Sequence, residues 1–338
     1  MKRFGFLSFG HHGPEGSAFD AGASLHSALE LAVAADELGV NGAYFRVHHF
    51  ARQAAAPMPL LSAIAARTKR IEVGTGVIDL RYENPLYLAE EAAALDLISE
   101  GRVALGVSRG SPEPAQRGWE AFGYLGSTDP RGADIARTKL ELFLSAVEGE
   151  AMAAADPEQF PGGTRLPIQP QSPGLRRRIW WGATTHDTAV WAAQRGLNLM
   201  SSTLVSEATG QPLGELQAEQ IQRYRDAWRE AGHDWQPRIS VSRSIFPIMN
   251  DLDRRYFGRG DSADQIGMID GLRSTFGRTY AAEPDQLVEQ LKADAAVQAA
   301  DTLMLTIPNQ VGTDYNLHII ESFARHVAPQ LGWEPTNG

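Results

Sequence analysis

Cysteine is missing altogether from this chain of 338 residues. That absence excludes disulfides, thiolate nucleophiles and cysteine-ligated metals. A basic surplus is missing too: 31 Lys and Arg stand against 41 Asp and Glu, a formal net charge of -10. No cationic stripe is present that could neutralise a phosphate backbone, so nucleic acid is not expected as a partner. Nor is there any apolar run of about eighteen residues, the length needed to span a bilayer. The opening stretch Met1 to Phe9 is basic and then apolar, but too short for the apolar region of a secretion signal. A strand in a cytoplasmic protein, without a membrane partner, is the expectation there. The chemistry must then come from histidines, arginines, hydroxyls or a bound cofactor.

What is present is a regular alternation. Short runs rich in Val, Ile, Phe and Leu alternate with Ala-rich stretches of helical period, the pattern of βα units around a parallel sheet. The expected strands are Arg3 to Phe9, Ala43 to Val47, Ile71 to Val77, Val103 to Ser108, Ile179 to Trp181, Asn198 to Ser202, Ile239 to Met249 and Thr302 to Ile307. The expected helices are Leu25 to Leu38, Leu60 to Thr68, Pro85 to Ile98, Arg137 to Val147, Asp187 to Arg195, Gln217 to Ala231, Asp285 to Ala293 and Leu317 to Val327. Gly39 suits a helix end, while Asn84 and Pro85 suit a helix start. A count near eight predicts a single α/β domain over 1–338, a (β/α)8 TIM barrel with insertions. The Gly- and Pro-rich stretch 149–173 reads as a surface insertion. The charged stretch 250–282 reads as a lid over the site or a disordered crossover.

In such a barrel, chemistry gathers where strands end at their carboxyl side. His48-His49 follows the second strand and His11-His12 the first. Adjacent residues of an extended chain point to opposite sides, so neither pair chelates one ion with both rings, and no metal is expected. A hydrogen-bonded rim histidine is the plainer alternative. Gly74 and Gly76 interrupt the third strand, as a bulge, a tight corner or the close approach of a flat ligand would require. The fourth strand runs out at Ser108, Arg109 and Gly110. The Arg109 guanidinium suits phosphate or carboxylate, or simply a salt bridge to Glu113. Arg137 is equally open, since Glu141 lies one helical turn on. Most informative is Trp181-Gly182-Ala183-Thr184-Thr185-His186-Asp187-Thr188, an apolar strand passing through glycine into a hydroxyl-rich helix start. Free amides at such a start form an anion site. Ordinary capping by Thr184 or Thr185 explains the same residues.

Six segments taken together resemble the bacterial-luciferase-like monooxygenases: Val47-His48-His49-Phe50, Val73-Gly74-Thr75-Gly76-Val77, Asn84-Pro85, Ala89-Glu90-Glu91 to Leu95-Asp96, Ser99-Glu100-Gly101-Arg102 and Gly106-Val107-Ser108-Arg109-Gly110. Trp191 to Leu197 and Glu283 to Leu287 extend the similarity. The resemblance implies an FMN-dependent monooxygenase that takes reduced flavin from a separate NAD(P)H:flavin reductase and uses O2 to oxygenate a small-molecule substrate. It implies Gly182, Thr184, Thr185 and Thr188 at the flavin phosphate, helped by Arg109 and Arg137, with Ser108 beside them. It further implies a cis peptide at Gly76-Val77 beneath the flavin ring, His48 as acid/base, and a homodimer through the helices after strands two and three. Two departures stand out. Val47 occupies a position where many relatives carry a carboxylate, and Ser108 stands where bacterial luciferase has a cysteine, so light emission is not implied. The same resemblance admits an F420-dependent hydride-transfer enzyme or a catalytically silent flavin-binding protein, and a metal-dependent hydrolase barrel is a third reading. Phe9, His11, Tyr44, Asp79 and Trp119 are the expected lining of the substrate pocket.

Overall fold

A computed structural model describes residues 3–258, 262–269 and 271–336. Eight parallel strands close into a barrel: β1 (Arg3–Ser8), β2 (Gly42–Phe45), β3 (Glu72–Thr75), β4 (Val103–Ser108), β5 (Ile179–Ala183), β6 (Asn198–Ser201), β7 (Ile239–Pro247) and β8 (Thr302–Ile307). Each pairs with its neighbour in chain order, and β8 returns to β1 with Arg3 opposite Thr302. The fold is therefore the expected (β/α)8 TIM barrel. Around it lie α1 (Ala21–Glu37), α2 (Pro57–Arg67), α3 (Pro85–Ile98), α4 (Ala133–Val147), α5 (His186–Gln194), α6 (Leu213–Ala231), α7 (Pro284–Ala293) and α8 (Thr313–His326). No helix of the described residues is long and apolar enough to cross a membrane.

Two apolar layers hold the barrel together. The outer one packs helices on strands through Phe4, Phe6, Phe45, Phe143, Tyr224 and Phe323 among others. The inner one fills the barrel with Leu7, Tyr44, Ala104, Trp180, Met200 and Met304. Below that plug, at the amino ends of the strands, Glu72 accepts a hydrogen bond from the Tyr44 hydroxyl at 2.6 Å and pairs with Arg238 at 2.5 Å. Arg238 also lies over the Trp180 ring, 4.7 Å from its centroid. Tyr44 is accordingly part of the floor, not of the substrate pocket. Its mid-strand position aims the side chain down the barrel, where the buried carboxylate accepts its proton.

Strand three departs from the expected single run. It stops at Thr75, the Gly76–Val77 peptide is cis, and Ile78–Asp79 pairs again with β4. The glycines here answer partly to packing: a Cβ at Gly74 would lie 2.3 Å from the Ala104 carbonyl oxygen, and one at Gly76 would lie 2.7 Å from Leu7 Cδ1. In the stretch 149–173 lies an exposed two-residue ladder, Ala153–Ala154 with Arg165–Leu166. In the stretch 250–282 the described residues form a helix Asp251–Phe257, an antiparallel hairpin Gln265–Ile269 with Leu272–Phe276, and a strand Thr279–Ala282. The hairpin is tied to the barrel side by antiparallel pairing of Leu204–Val205 with Thr275 and Phe276. Positions 259–261 and 270 of the expected lid lie outside the described residues.

Candidate functional site

At the carboxyl ends of the strands opens a cavity of about 530 Å³. Its wall includes His48, Gly76, Val77, Ser108, Arg109, Arg137, Gly182, Thr184, Thr185 and Thr188, so every sequence-expected site residue faces one space. That convergence comes from eight strands ending together. The residues come from four different βα units, spread over 140 positions of the chain from His48 to Thr188.

The phosphate-like corner is built on α5. Thr185 is the N-cap: its side chain accepts from the Thr188 amide at 3.1 Å, and its hydroxyl donates to Thr188 Oγ1 at 2.7 Å. Capping and anion binding are thus not exclusive here, because the amides of His186 and Asp187 keep no hydrogen bond among the described residues. Thr184 holds the chain through its carbonyl, which accepts from the Ser206 amide at 2.6 Å, and leaves its hydroxyl in the cavity wall. Arg137 lies over the Trp191 ring of α5 at 5.7 Å. Its expected partner Glu141 pairs instead with Arg195 at 2.6 Å, which leaves Arg137 without an ion pair among the described residues. Arg137 and the α5 N-terminus line the same cavity, a combination that suits a phosphate, with the Asp187 carboxylate also in that first turn.

The opposite part of the wall carries the titratable groups. His48 is buried, and its Nδ1 lies 2.9 Å from Oε2 of Glu113, whose side chain is 2% exposed. Its Nε2 faces Ser111 Oγ at 3.4 Å, and Ser111 Oγ accepts from Arg46 Nη2 at 3.2 Å. Burial holds the Arg46 guanidinium below its ordinary pKa, and the charge of Glu113 opposes that fall. His49 points the other way, stacking on Tyr82 at 4.1 Å outside the cavity, and burial lowers its pKa. His11 stacks on Phe9 at 5.6 Å; burial lowers its pKa first, and the nearby Arg46 and His48 lower it further. Asp79, in the wall, is raised by burial while two-pronged pairing with Arg81 pulls it back. Ser108 Oγ accepts from the Gly110 amide at 2.7 Å, which tightens the turn that presents Arg109.

Of the expected substrate pocket, Phe9 and Asp79 line the cavity, with His11 packed on Phe9. Trp119 does not: it is buried beneath the Arg81 guanidinium, 4.6 Å from its ring, on the far side of the Asp79–Arg81 pair. Two groups were missed, and a third falls in the stretch 250–282 expected as a lid or a disordered crossover. Glu113 entered the sequence reading only as an alternative partner of Arg109, whereas the loop after β4 folds it onto His48. Ile269, Leu272 and Phe276 of the hairpin line the cavity, and so do Met200 and Ser201 at the end of β6 and Ser202 to Leu204 after it. Alternation of apolar residues in 265–276 was the available signal for the hairpin.

A closed parallel barrel with a polar cavity at its carboxyl rim defines the class as a TIM-barrel enzyme. Residues 1–256 match the model of the family described as luciferase-like monooxygenase, and the chain belongs to that family. It is accordingly an oxidoreductase. It is similar to limonene 1,2-monooxygenase of Rhodococcus erythropolis, 26% identical over 92% of this chain and 83% of that protein. The oxygenase component of the flavin-dependent trigonelline monooxygenase of Acinetobacter baylyi is 27% identical over 67% of this chain and 60% of that protein. Among solved structures, the oxygenating constituent of 3,6-diketocamphane monooxygenase of Pseudomonas putida, in complex with FMN, superposes with a TM-score of 0.68 at 19% identity, covering 97% of this chain and 99% of that one. An F420-dependent secondary alcohol dehydrogenase superposes with a TM-score of 0.63 at 15% identity, covering 98% and 99%. Both are likenesses of fold.

Proposed function

We propose that this protein is an FMN-dependent monooxygenase that oxygenates a small organic molecule with O2, using reduced flavin delivered by a separate NAD(P)H:flavin reductase. The observation that carries this reading is the one cavity lined by an anion-suited helix start, by Gly76 and Val77, and by a buried histidine. The residues fit the cofactor. The amides of His186 and Asp187, the Thr184 hydroxyl and Arg137, which has no ion pair among the described residues, would hold the phosphate. Gly182 keeps the wall flat, since a Cβ there would come within 3.2 Å of Val77 Cγ1. Reduced flavin, when bound, supplies the activation of O2. The chain's own residues bind and orient it, and His48 holds or releases a proton at Nε2. Ile269, Leu272 and Phe276 of the hairpin screen the cavity from water.

The titration of apoprotein with FMN and separately with F420 tests the choice of cofactor. Selective FMN binding is expected, followed by oxygenated product when a reductase, NAD(P)H and candidate substrates are supplied. Selective F420 binding would favour the hydride-transfer reading, which the fold likeness to the alcohol dehydrogenase keeps in view. Flavin binding with no product from any substrate would favour a silent binding protein.

A further inference from the structure

We propose that Glu113 is the positioning residue of His48, fixing the imidazole with its proton on Nδ1 and its Nε2 lone pair at the cavity. The inference rests on His48 being the acid/base of the function proposed above.

The hydrogen-bond polarity follows from which groups can donate. A guanidinium only donates, so Arg46 Nη2 gives its proton to Ser111 Oγ at 3.2 Å. The Ser111 hydroxyl then has its own proton free for a second partner, and His48 Nε2 lies 3.4 Å away. At the other end an ionised carboxylate only accepts, so the 2.9 Å contact between His48 Nδ1 and Glu113 Oε2 requires a proton on Nδ1. One direction satisfies all three contacts: Arg46 to Ser111, Ser111 to His48, His48 to Glu113. Reversing the imidazole tautomer would set a lone pair of Nδ1 against the carboxylate.

Burial makes the arrangement decisive. The side chains of His48 and Glu113 are 8% and 2% exposed, so their contact is largely shielded from bulk solvent. Glu113 Oε1 is buried with no hydrogen-bond partner, so His48 is the one hydrogen-bond partner of this carboxylate among the described residues. A buried carboxylate left so sparsely paired is expensive as mere packing. The carboxylate absent at Val47 is thus supplied through space, from a loop 65 positions further along the chain.

Other charges face the pair and set the background for its titration. His11 approaches from the loop after β1, His49 is the next residue along, and Arg46 acts through Ser111. The Asp79–Arg81 pair and the Tyr82 hydroxyl lie on the Glu113 side. All of them remain in a variant that changes Glu113 alone.

The test is 15N-detected NMR titration of the His48 ring in apoprotein, comparing wild type with Glu113→Gln and Glu113→Asp, and with His48→Gln to assign the signal. Wild type should show the neutral ring protonated on Nδ1. Glu113→Gln, which keeps an acceptor but loses the charge, should lower the titration midpoint by about one pH unit, a tenfold change in proton affinity. Glu113→Asp should restore part of it. An Nε2-protonated neutral ring in wild type, or an unchanged midpoint in Glu113→Gln with the fold intact by circular dichroism, would overturn the assignment. The titration needs no flavin, so failure of FMN to bind would count against the functional reading alone.

Discussion

Single residues separate capping from ligand binding at the start of α5. Thr185 caps the helix, and replacing such a cap with alanine costs about 0.5–2 kcal/mol. The Thr184 hydroxyl makes no hydrogen bond within the described protein and faces the cavity. Thr184→Ala should therefore leave the unfolding free energy within about 0.5 kcal/mol of wild type and still weaken FMN binding, while Thr185→Ala lowers both. Arg137→Met should also weaken FMN binding, by roughly tenfold or more, as expected for a lost charge-assisted hydrogen bond of about 1.5–3 kcal/mol. Flavin fluorescence titration beside urea unfolding measures each pair of effects. Equal FMN affinity across all three variants would place the phosphate elsewhere. These positions were legible in the sequence because strand, glycine and hydroxyl cluster run consecutively from Trp181 to Thr188. Glu113 was not: no local pattern links it to a histidine 65 positions earlier, and only the folding of the β4 loop brings them together.

Whole elements behaved according to how local their causes are. The range Pro85 to Ile98 was readable to the residue because Asn84 accepts from the Leu86 and Tyr87 amides and Pro85 occupies the first turn. The start of α4 was missed by four positions, Ala133 against Arg137, because its N-cap is Gly132 in a left-handed conformation and carries no side-chain signal. The break in strand three was invisible to periodicity, which counts residues and not peptide isomers. One element-level prediction concerns pH. Where α4 packs near the turn after Asp79, burial pushes the Glu83 carboxyl up to about 7, with Glu91 adding to the rise, and burial brings Lys139 down to about 8. A raised carboxyl contributes its stability in full below the ordinary value of 4.5 and loses it as pH climbs through 7. The melting temperature of wild type should thus fall more between about pH 5 and pH 7.5 than that of Glu83→Gln. Parallel slopes in calorimetry would refute this. A second prediction concerns the hairpin. Phe276→Ala with Leu272→Ala should raise the fraction of NADH consumption that ends as hydrogen peroxide rather than product, because both side chains wall the cavity. Unchanged coupling, measured as product formed per NADH, would remove the hairpin from the screening role.

At the scale of the molecule, the barrel was the most legible feature, since eight alternations of strand and helix admit few other closures. Subunit association belongs to this scale as well. Tyr87 and Ile98 on α3 are 67% and 54% exposed, an apolar presence at the helix expected to meet a second copy. Light scattering should give twice the 36.8 kDa chain mass, and Tyr87→Glu with Ile98→Glu should halve it. A monomeric wild type would reject the expected homodimer. The floor of the barrel has a further consequence. Glu72, Arg238 and Tyr44 seal the amino end beneath a plug of Trp180, Met200 and Met304. The barrel is therefore a cul-de-sac at its amino end, and nothing reaches the cavity along the axis from that side. On the proposed function, flavin and substrate would share the approach from the carboxyl rim.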